Sequence, residues 1–355
     1  MAGRGVDWHD AQDQNCKPGL PEREILLMSD HRALRRRLYE QYRTSFAAAP
    51  IRLISKIDQE ARRQAAAAGE TYDGFAGAIG DIAADSLSEE LRNSLYFGRE
   101  AEVRAEGEHR LRAETPRFTS YDYGGTGYNC LKEAWLDVYR PLSPETAAFR
   151  VYPGYGGTHA FSLTVQALAR QFGNRAKVLV PVPSFPPFFF QLGRHFELVC
   201  VPTRIQQGMR LQAEDVADIP ATALRLVYLC VVGNPTGRAY GADELAATMA
   251  AILRREPEAL LLLDAVYLRT LPPAEAAALW RTMTAPAVRR NVIIFDSLSK
   301  SYGRTGLRSG VVFMANERLE QHLTDLMQNE LAGLSYAMQI ESVGLLRLVS
   351  ETAVQ

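Results

Sequence analysis

The sequence has few cysteines. Only four of its 355 residues are cysteine, namely Cys16, Cys130, Cys200 and Cys230. None of them forms a Cys-x-x-Cys pair or stands at metal-ligand spacing from a histidine, so no cysteine-based metal motif is present. Scattered, unpaired cysteines of this kind are typical of a reduced compartment. We therefore expect a cytoplasmic protein without structural disulfides.

The sequence also lacks an excess of charge and any long apolar run. Forty Lys and Arg residues face 41 Asp and Glu residues, and the formal net charge is −1. Such a chain has no net field with which to attract nucleic acid or an anionic membrane surface. Apolar runs such as Ala259–Leu263 are far shorter than the ~20 residues that span a bilayer. The first residues carry Asp7, Asp10 and Asp13 and no apolar stretch, so no signal peptide is expected.

What is present is an ordinary globular composition, with 47% hydrophobic and 23% charged residues. The length suits roughly two domains of ~150 residues each. Residues 1–120 are rich in Ala, Arg and Glu, and apolar residues at helical spacing predict helices in Pro21–Ala47, Ile51–Ala68 and Leu87–Arg112. We expect a helical N-terminal extension. It is either a solvated layer or a layer that closes over a substrate site.

From Thr119 onward, short β-branched and apolar runs alternate with helical patterns. The runs that read as buried strands are Val178–Val182, Glu197–Val201, Leu224–Val232, Leu260–Leu263 and Val292–Phe295. The helices between them are Thr158–Phe172, Gly241–Arg255 and Pro273–Thr282. This alternation predicts a doubly wound α/β domain with a largely parallel sheet covered on both faces. In such a sheet, ligands bind beyond the carboxyl ends of the strands.

A glycine-rich turn precedes the first of these helices. Gly156, Gly157 and Thr158 combine close backbone approach with a helix N-terminus, which suits a phosphate. The turn matches neither the P-loop nor the dinucleotide fingerprint, and this argues against a nucleotide-binding oxidoreductase on a similar sheet. A plain glycine turn is the alternative. His159, next in the chain, either approaches a ligand or packs in the core.

Polar side chains follow two further strands. Asn234 lies in an Asn-Pro-x-Gly turn after one strand, and Asp264 ends the next, with Tyr267 three residues on. A buried carboxylate at a strand end is costly unless it meets a cation or a donor. Taken alone, however, Asn-Pro-x-Gly is usually only a turn, and Asp264 has an alternative role as a helix N-cap.

The last predicted strand leads into Ser297, Lys300 and Arg308. A lysine in this partly buried setting loses its proton more readily and becomes a nucleophile for aldehydes. Ser297 and Arg308 add a hydroxyl and a guanidinium suited to a phosphate. A surface lysine is the alternative interpretation.

The combined pattern of Asn-Pro-x-Gly, Asp-x-x-Tyr, and Ser-x-x-Lys with an arginine eight positions later resembles the fold type I enzymes that depend on pyridoxal 5′-phosphate (PLP). Within them it resembles the class I/II aminotransferases, from about Tyr121 to Arg308. The resemblance implies an α/β fold like the large domain of aspartate aminotransferase, with a mixed, mostly parallel seven-stranded sheet between helices. It places this PLP-binding domain at residues 121–330. Residues 331–355 would then begin a helix leading to a small C-terminal domain that is absent or truncated here.

The resemblance also implies residue roles. Lys300 would form the Schiff base with the cofactor aldehyde and move a proton, and Asp264 would hold the pyridine nitrogen protonated. Asn234 and Tyr267 would hydrogen-bond the 3′-oxygen of the ring, and Phe185 would stack on the ring.

The implied phosphate ligands and subunit arrangement complete this set. The phosphate would be bound by Gly156, Gly157, Thr158, Ser297 and Arg308. The family site is shared between subunits, so a homodimer is implied, with Tyr121 or Tyr123 as the tyrosine that reaches the partner's phosphate.

Two departures from the family limit the functional interpretation. The segment before Gly156 is longer than in the relatives, and only 55 residues follow Lys300. The arginine that grips the substrate α-carboxylate is therefore not identified. The resemblance favours an aminotransferase acting on an amino acid by ping-pong chemistry. The alternative is another PLP reaction at Cα, Cβ or Cγ in secondary metabolism, catalysed by a decarboxylase, lyase, replacement enzyme or cyclase. The third possibility, a non-catalytic PLP-fold protein, is disfavoured because Lys300, Asp264 and Asn234 occur together.

Overall fold

The computed structural model describes residues 33–43, 50–72, 87–114, 122, 124–219 and 223–352. The chain forms two compact units, Met1–Ile79 and Gly80–Gln355. In the first unit, α1 covers residues 33–42 and α2 covers Pro50–Ala67. The predicted helix Ile51–Ala68 thus matches α2, whereas the first part of the predicted helix Pro21–Ala47 lies outside the described residues.

In the second unit, the predicted helix Leu87–Arg112 is interrupted. It consists of α3, Glu89–Ser94, and α4, Glu100–Leu111, joined by a turn that we call the 95–99 turn after its residues. Tyr96 and Gly98 adopt left-handed φ angles of 56° and 79° within this turn. A left-handed conformation breaks the helical hydrogen-bond ladder. Helical periodicity alone does not reveal this break, because the apolar spacing continues across it.

The second unit is built on one seven-stranded sheet. Its strands are β1, Arg150–Gly154; β2, Lys177–Val182; β3, Glu197–Pro202; β4, Leu224–Cys230; β5, Leu260–Asp264; β6, Val292–Ser297; and β7, Gly310–Met314. Their order is β1-β7-β6-β5-β4-β2-β3. The pairs among β3, β2, β4, β5 and β6 are parallel, whereas β7 is antiparallel to both of its neighbours. The mixed, mostly parallel sheet is confirmed.

Helices cover both faces of the sheet. They are α5, Asn129–Tyr139; α6, Gly157–Phe172; α7, Pro186–His195; α8, Ala242–Arg255; α9, Pro273–Thr284; α10, Leu298–Ser301; α11, Glu317–Leu326; and α12, Tyr336–Thr352. Strand side chains alternate between two buried clusters: Leu261 and Leu263 pack with α5, α8, α9 and α12, and Leu262 packs with α6, α7 and α11. Burial on both faces explains why β2, β4, β5 and β6 are almost continuously apolar. The segment Glu197–Val201 does form strand β3, but its residues are half-buried or exposed because β3 lies at the edge of the sheet, so the prediction that this strand is buried is wrong.

Helices α4 and α12 cross at two glycines. A Cβ added to Gly344 would lie 1.8 Å from the carbonyl oxygen of Val103, and one added to Gly107 would lie 2.0 Å from that of Ile340. The two backbones therefore touch directly, and no side chain fits between them. An ion pair, Arg104 to Glu341 at 2.8 Å, flanks this crossing. Helix α4 is thus an integral part of the second unit.

Candidate active site

Four of the predicted segments meet at one edge of the sheet. The strands β4, β5 and β6 are parallel, so Asn234, Asp264 and Ser297, which follow or end them, emerge together. Strand β1 runs in the same direction as β6, because both are antiparallel to β7. The glycine turn after β1 therefore arrives at the same edge, as expected for a site beyond the carboxyl ends of the strands.

The glycine turn sits directly on the start of β7. Gly156 has a left-handed φ of 82°, and α6 begins at Gly157. A Cβ on Gly310 would lie 2.4 Å from the Gly157 nitrogen, so this close approach requires glycine at position 310. The position of a Cβ on Gly157 would be 3.8 Å from the Ser297 hydroxyl oxygen. The N-terminus of α6 and this hydroxyl thus face the same space.

Arg308 closes the other side of this space. A Cβ on Gly156 would lie 2.5 Å from Arg308 Nη2, so the guanidinium lies over the glycine. Arg308 Nη1 donates to the carbonyl of Thr305 at 2.9 Å and reaches the Ser299 hydroxyl at 3.5 Å. The structure brings Gly156, Gly157, Ser297 and Arg308 together. Thr158 follows on the first turn of α6 with an exposed side chain, and Ser299 is a neighbour that the sequence analysis missed.

Asp264 is buried at the end of β5, with 3% of its surface exposed. Its carboxylate accepts hydrogen bonds from the Tyr228 hydroxyl at 2.9 Å and from the Val266 amide at 3.2 Å. Burial raises the pKa of Asp264 to about 6, because these two neutral donors only partly replace water. The sequence analysis did not identify Tyr228, whose apolar surroundings in β4 suggest only a core residue. The carboxyl group is therefore suited to meet a cation.

Asn234 and Tyr267 converge beside it. Asn234 Nδ2 donates to the Tyr267 hydroxyl at 3.5 Å. Burial, followed by the charge of Asp264, raises the pKa of the Tyr267 hydroxyl, which keeps this phenol protonated at neutral pH. The two side chains together offer hydrogen-bond donors on the same side as Asp264.

Lys300 lies on the short helix α10, which follows β6 directly. It is half-buried, and the preceding Ser299 is buried. The hydroxyl of Ser301 donates to the carbonyl of Val266 at 3.1 Å. This bond joins the lysine segment to the segment that carries Asp264 and Tyr267. The lysine is thus held at the same strand edge as the other predicted residues.

Phe185 stands at the N-cap of α7, and its ring packs edge-on against Phe188 with 5.2 Å between the ring centroids. Phe188 is buried and stacks on Phe161 at 3.8 Å.

His159 supports the glycine turn, because its Nδ1 accepts a hydrogen bond from the Tyr155 amide at 3.2 Å. Burial lowers the pKa of His159, which favours the neutral imidazole that this acceptor role needs. Tyr121 and Tyr123 lie outside the described residues.

A second buried carboxyl group lies one residue before Ser297, on the opposite face of β6. Asp296 accepts hydrogen bonds from the Tyr139 hydroxyl and from the Ser297 amide, the latter at 2.7 Å. The Arg269 guanidinium lies 5.8 Å from the centre of the Tyr139 ring. Burial raises the pKa of Asp296 to about 7 despite these donors and the charge of Arg269. The sequence analysis did not single out Asp296, because its partners come from distant segments.

Two other classes of site are not found in the described part of the chain. No described helix is both long and apolar enough to cross a membrane. The described His, Cys, Asp and Glu side chains nowhere gather in a group of three or more that could hold a metal ion.

The chain is similar to curated aminotransferases over part of their length. It is 32% identical over 149 residues to histidinol-phosphate aminotransferase of Lactiplantibacillus plantarum, covering 40% of this chain and 38% of that protein. It is 29% identical over 203 residues to the same enzyme of Symbiobacterium thermophilum, covering 56% and 52%. The chain thus spans about half or less of the length of these relatives.

Solved structures share the fold. The aspartate aminotransferase of Rhizobium meliloti superposes with a TM-score of 0.58 at 18% identity, over 79% of this chain and 74% of that one. A methionine aminotransferase of Escherichia coli gives a TM-score of 0.58 at 20% identity, over 69% and 63%. The model of the family "Aminotransferase class I and II" matches residues 100–343, and this family is PLP-dependent. The chain therefore belongs to the class I and II aminotransferases.

Proposed function

We propose that this protein is a PLP-dependent aminotransferase whose cofactor is bound at the edge of the sheet where Asp264, Lys300 and the glycine turn meet. The observation that carries the proposal is the buried carboxyl group of Asp264. Among the described residues, its carboxylate accepts hydrogen bonds only from the neutral donors of Tyr228 and Val266, and burial raises its pKa to about 6. A buried acid of this kind is stabilised when a protonated ring nitrogen supplies the missing positive charge.

The remaining residues fit the rest of the cofactor. The amide of Gly157, the hydroxyl of Ser297 and the guanidinium of Arg308 face one space beside Gly156. A helix N-terminus, a hydroxyl and a guanidinium are the groups that bind a phosphate. We assign Thr158 to the same group, although its side chain is exposed.

The ring would be held from its edge and its face. The donors of Asn234 and Tyr267 lie 3.5 Å apart, which suits one shared oxygen on the ring. Phe185 would cover a face of the ring from the start of α7. These contacts would fix the orientation of the ring relative to Lys300, and orientation is what the protein contributes in a cofactor enzyme.

When bound, PLP supplies an electron sink for the bond that breaks at the substrate Cα. Lys300 Nζ is the amine that would attach the cofactor covalently and then take up or deliver the proton at Cα. Asp264 would keep the ring nitrogen protonated by holding a negative charge next to it. Ser301, bonded to Val266, would keep the lysine segment close to Asp264.

The matched experiment compares Lys300→Ala with Lys177→Ala, which alters a lysine at the opposite end of the sheet on β2. Each protein is incubated with PLP and reduced with borohydride, and its peptides are analysed by mass spectrometry. We expect the label on Lys300 in the wild type and in Lys177→Ala, and no turnover by Lys300→Ala. Full activity of Lys300→Ala would refute the assignment.

Product analysis decides the reaction class. The purified protein is incubated with a panel of amino acids, with and without a keto acid. Conversion of the keto acid into an amino acid supports transamination. Release of CO₂ or of a side-chain leaving group supports instead another PLP reaction at Cα, Cβ or Cγ. The names of the relatives suggest histidinol phosphate, aromatic amino acids and aspartate as first members of the panel.

The proposal also includes the oligomeric state and the cellular location. A homodimer is supported by family membership, and light scattering of the purified protein tests it. A cytoplasmic location is supported by Cys130, Cys200 and Cys230, which are free thiols; expression of the natural gene with a fluorescent tag tests it.

A further inference from the structure

The loop that follows Lys300 is tied to the 95–99 turn by one side chain. Arg304 Nη2 donates a hydrogen bond to the carbonyl oxygen of Leu95 at 2.7 Å. The guanidinium carbon of Arg304 also lies 4.1 Å from the centre of the Phe97 ring, within the range of a cation–π contact. The loop is thereby attached to the segment that precedes the sheet.

This attachment takes the place of an ion pair. Among the described residues, no carboxylate makes a salt bridge with Arg304, and Glu100 and Glu341 act on it only at longer range. Burial lowers the pKa of Arg304. A half-buried cation needs acceptors to replace the water that it loses, and the Leu95 carbonyl and the Phe97 ring meet that need.

The turn itself is held rigidly. Tyr96 has a left-handed φ of 56° and is buried, and its hydroxyl donates to the carbonyl of Leu348 on α12 at 3.3 Å. Arg99 covers the Tyr96 ring at 4.5 Å. A strained backbone persists only where the surroundings enforce it. The 95–99 turn is therefore a fixed support and not a flexible link.

Arg304 connects the 95–99 turn to the segment that carries Lys300. Its amide donates to the carbonyl of Leu298, the first residue of α10, at 2.9 Å, and its Nη1 donates to the carbonyl of Tyr302 at 3.3 Å. Arg308, four residues on, bonds back to Thr305 at 2.9 Å. A displacement of Arg304 would therefore move both the helix that carries Lys300 and the loop that carries Arg308.

The 95–99 turn also lies just outside the residues matched to the family. The family match begins at residue 100, just after the turn. The support for the lysine loop thus comes from a segment that lies outside the matched residues.

We propose that the 95–99 turn, acting through Arg304, is a positioning element for Lys300 and Arg308. The proposal rests on the proposed role of Lys300 as the attachment point of the cofactor. We assign Arg304 and Phe97 no contact with the cofactor or the substrate; they act through the loop that carries Lys300 and Arg308. The turn sets where the attacking amine and the phosphate-binding guanidinium stand relative to each other.

The test uses Arg304→Met, which keeps the apolar stem, and Phe97→Leu, which removes the ring. Arg255→Met is the matched control. Arg255, the last residue of α8, is also only partly exposed. Like Arg304, it donates to main-chain carbonyls of another segment, including that of Ile219 at 2.7 Å. The first readout is amide hydrogen exchange in the cofactor-free protein at Leu298 and Arg304. The second is the dissociation constant of PLP, measured from absorbance.

We expect Arg304→Met to speed exchange at these amides and to weaken PLP binding about tenfold, the size of effect for a lost hydrogen bond to a charged group. Phe97→Leu should show a smaller change in the same direction, and Arg255→Met should show neither. Unchanged PLP affinity in both variants overturns the proposal, whatever the exchange rates and melting temperatures show. If Arg304→Met does not fold, Phe97→Leu alone decides by the same two readouts. A wild-type protein that binds no PLP refutes the proposed function separately.

Discussion

Replacing Asp264 by Asn should stabilise the cofactor-free protein against unfolding. In the protein loaded with PLP, the same change should abolish catalysis. The two side chains have almost the same shape, and the amide oxygen can still accept from Val266, as the carboxylate does at 3.2 Å. The Tyr228 hydroxyl, now 2.9 Å from Oδ2, can accept from the new amide. The main change is therefore the loss of a buried negative charge.

The magnitude follows from the pKa of Asp264, which burial raises from 3.8 to about 6. The folded protein holds this proton more tightly than the unfolded chain, so stability falls as pH rises through this window and then levels off. At about 1.4 kcal/mol per pKa unit, the loss is at most about 3 kcal/mol. The amide of the Asn variant cannot ionise, so the variant does not lose stability as the pH rises through this window.

Urea unfolding of both cofactor-free proteins at pH 4.5 and pH 8 measures the effect. We expect the variant to gain about 2 kcal/mol of stability relative to the wild type between these two pH values, because about 1 kcal/mol of the full loss has already occurred at pH 4.5. A difference that does not change with pH would refute the raised pKa. With PLP and substrate, we expect the variant to bind the cofactor but to lose the deprotonation step, because the ring nitrogen lacks its counter-charge. Wild-type turnover would refute that role.

Three further predictions concern neighbouring features. Asp296→Asn should show the same sign of pH dependence as Asp264→Asn, but with a window that extends to about 7, the pKa of Asp296; urea titrations at closely spaced pH values separate the two. Gly344→Ala should destabilise the second unit by about 3 kcal/mol or more, because its Cβ would lie 1.8 Å from a carbonyl oxygen; Gly306→Ala, where nothing lies within 4 Å, is the control in thermal unfolding. Arg308→Lys should weaken PLP binding about tenfold, since a single ammonium cannot reproduce the forked contacts of the guanidinium; an unchanged dissociation constant would exclude Arg308 from the phosphate site.

Much of the fold follows from local sequence patterns. The strands β2, β4, β5 and β6 match apolar runs, because a strand buried on both faces has few polar positions to interrupt the run. Strand β3 also matches its predicted run, although it is an edge strand with half-buried and exposed residues. Helix α6 matches its predicted bounds because Gly157 and Gly173 mark its two ends. The resemblance implied a helix within residues 331–355, where α12 lies, whereas strand β1 and the helices α5 and α7 were not predicted. Strand β1 carries Pro153 and Gly154, which disfavour a strand locally, and it is stabilised by pairing with β7.

Some residues of the candidate site were likewise predicted from the sequence, and others were found only in the structure. Lys300, Asp264, Asn234 and Tyr267 were identified because each follows a recognisable strand and because their combined order resembles a known family. Tyr228 and Asp296 were not identified. Each has an unremarkable local sequence, and its role depends on a partner many residues away.

The sequence by itself therefore determined most of the order of the strands and helices, the family and the polar residues at the strand ends. Only the tertiary structure decided that the 95–99 turn interrupts a helix and holds Arg304, and that two carboxyl groups on adjacent strands lie on opposite faces of one sheet. The physical reason is that periodicity and turn chemistry act between residues close in the chain, whereas burial, hydrogen-bond partners and pKa depend on which distant segments the fold brings together.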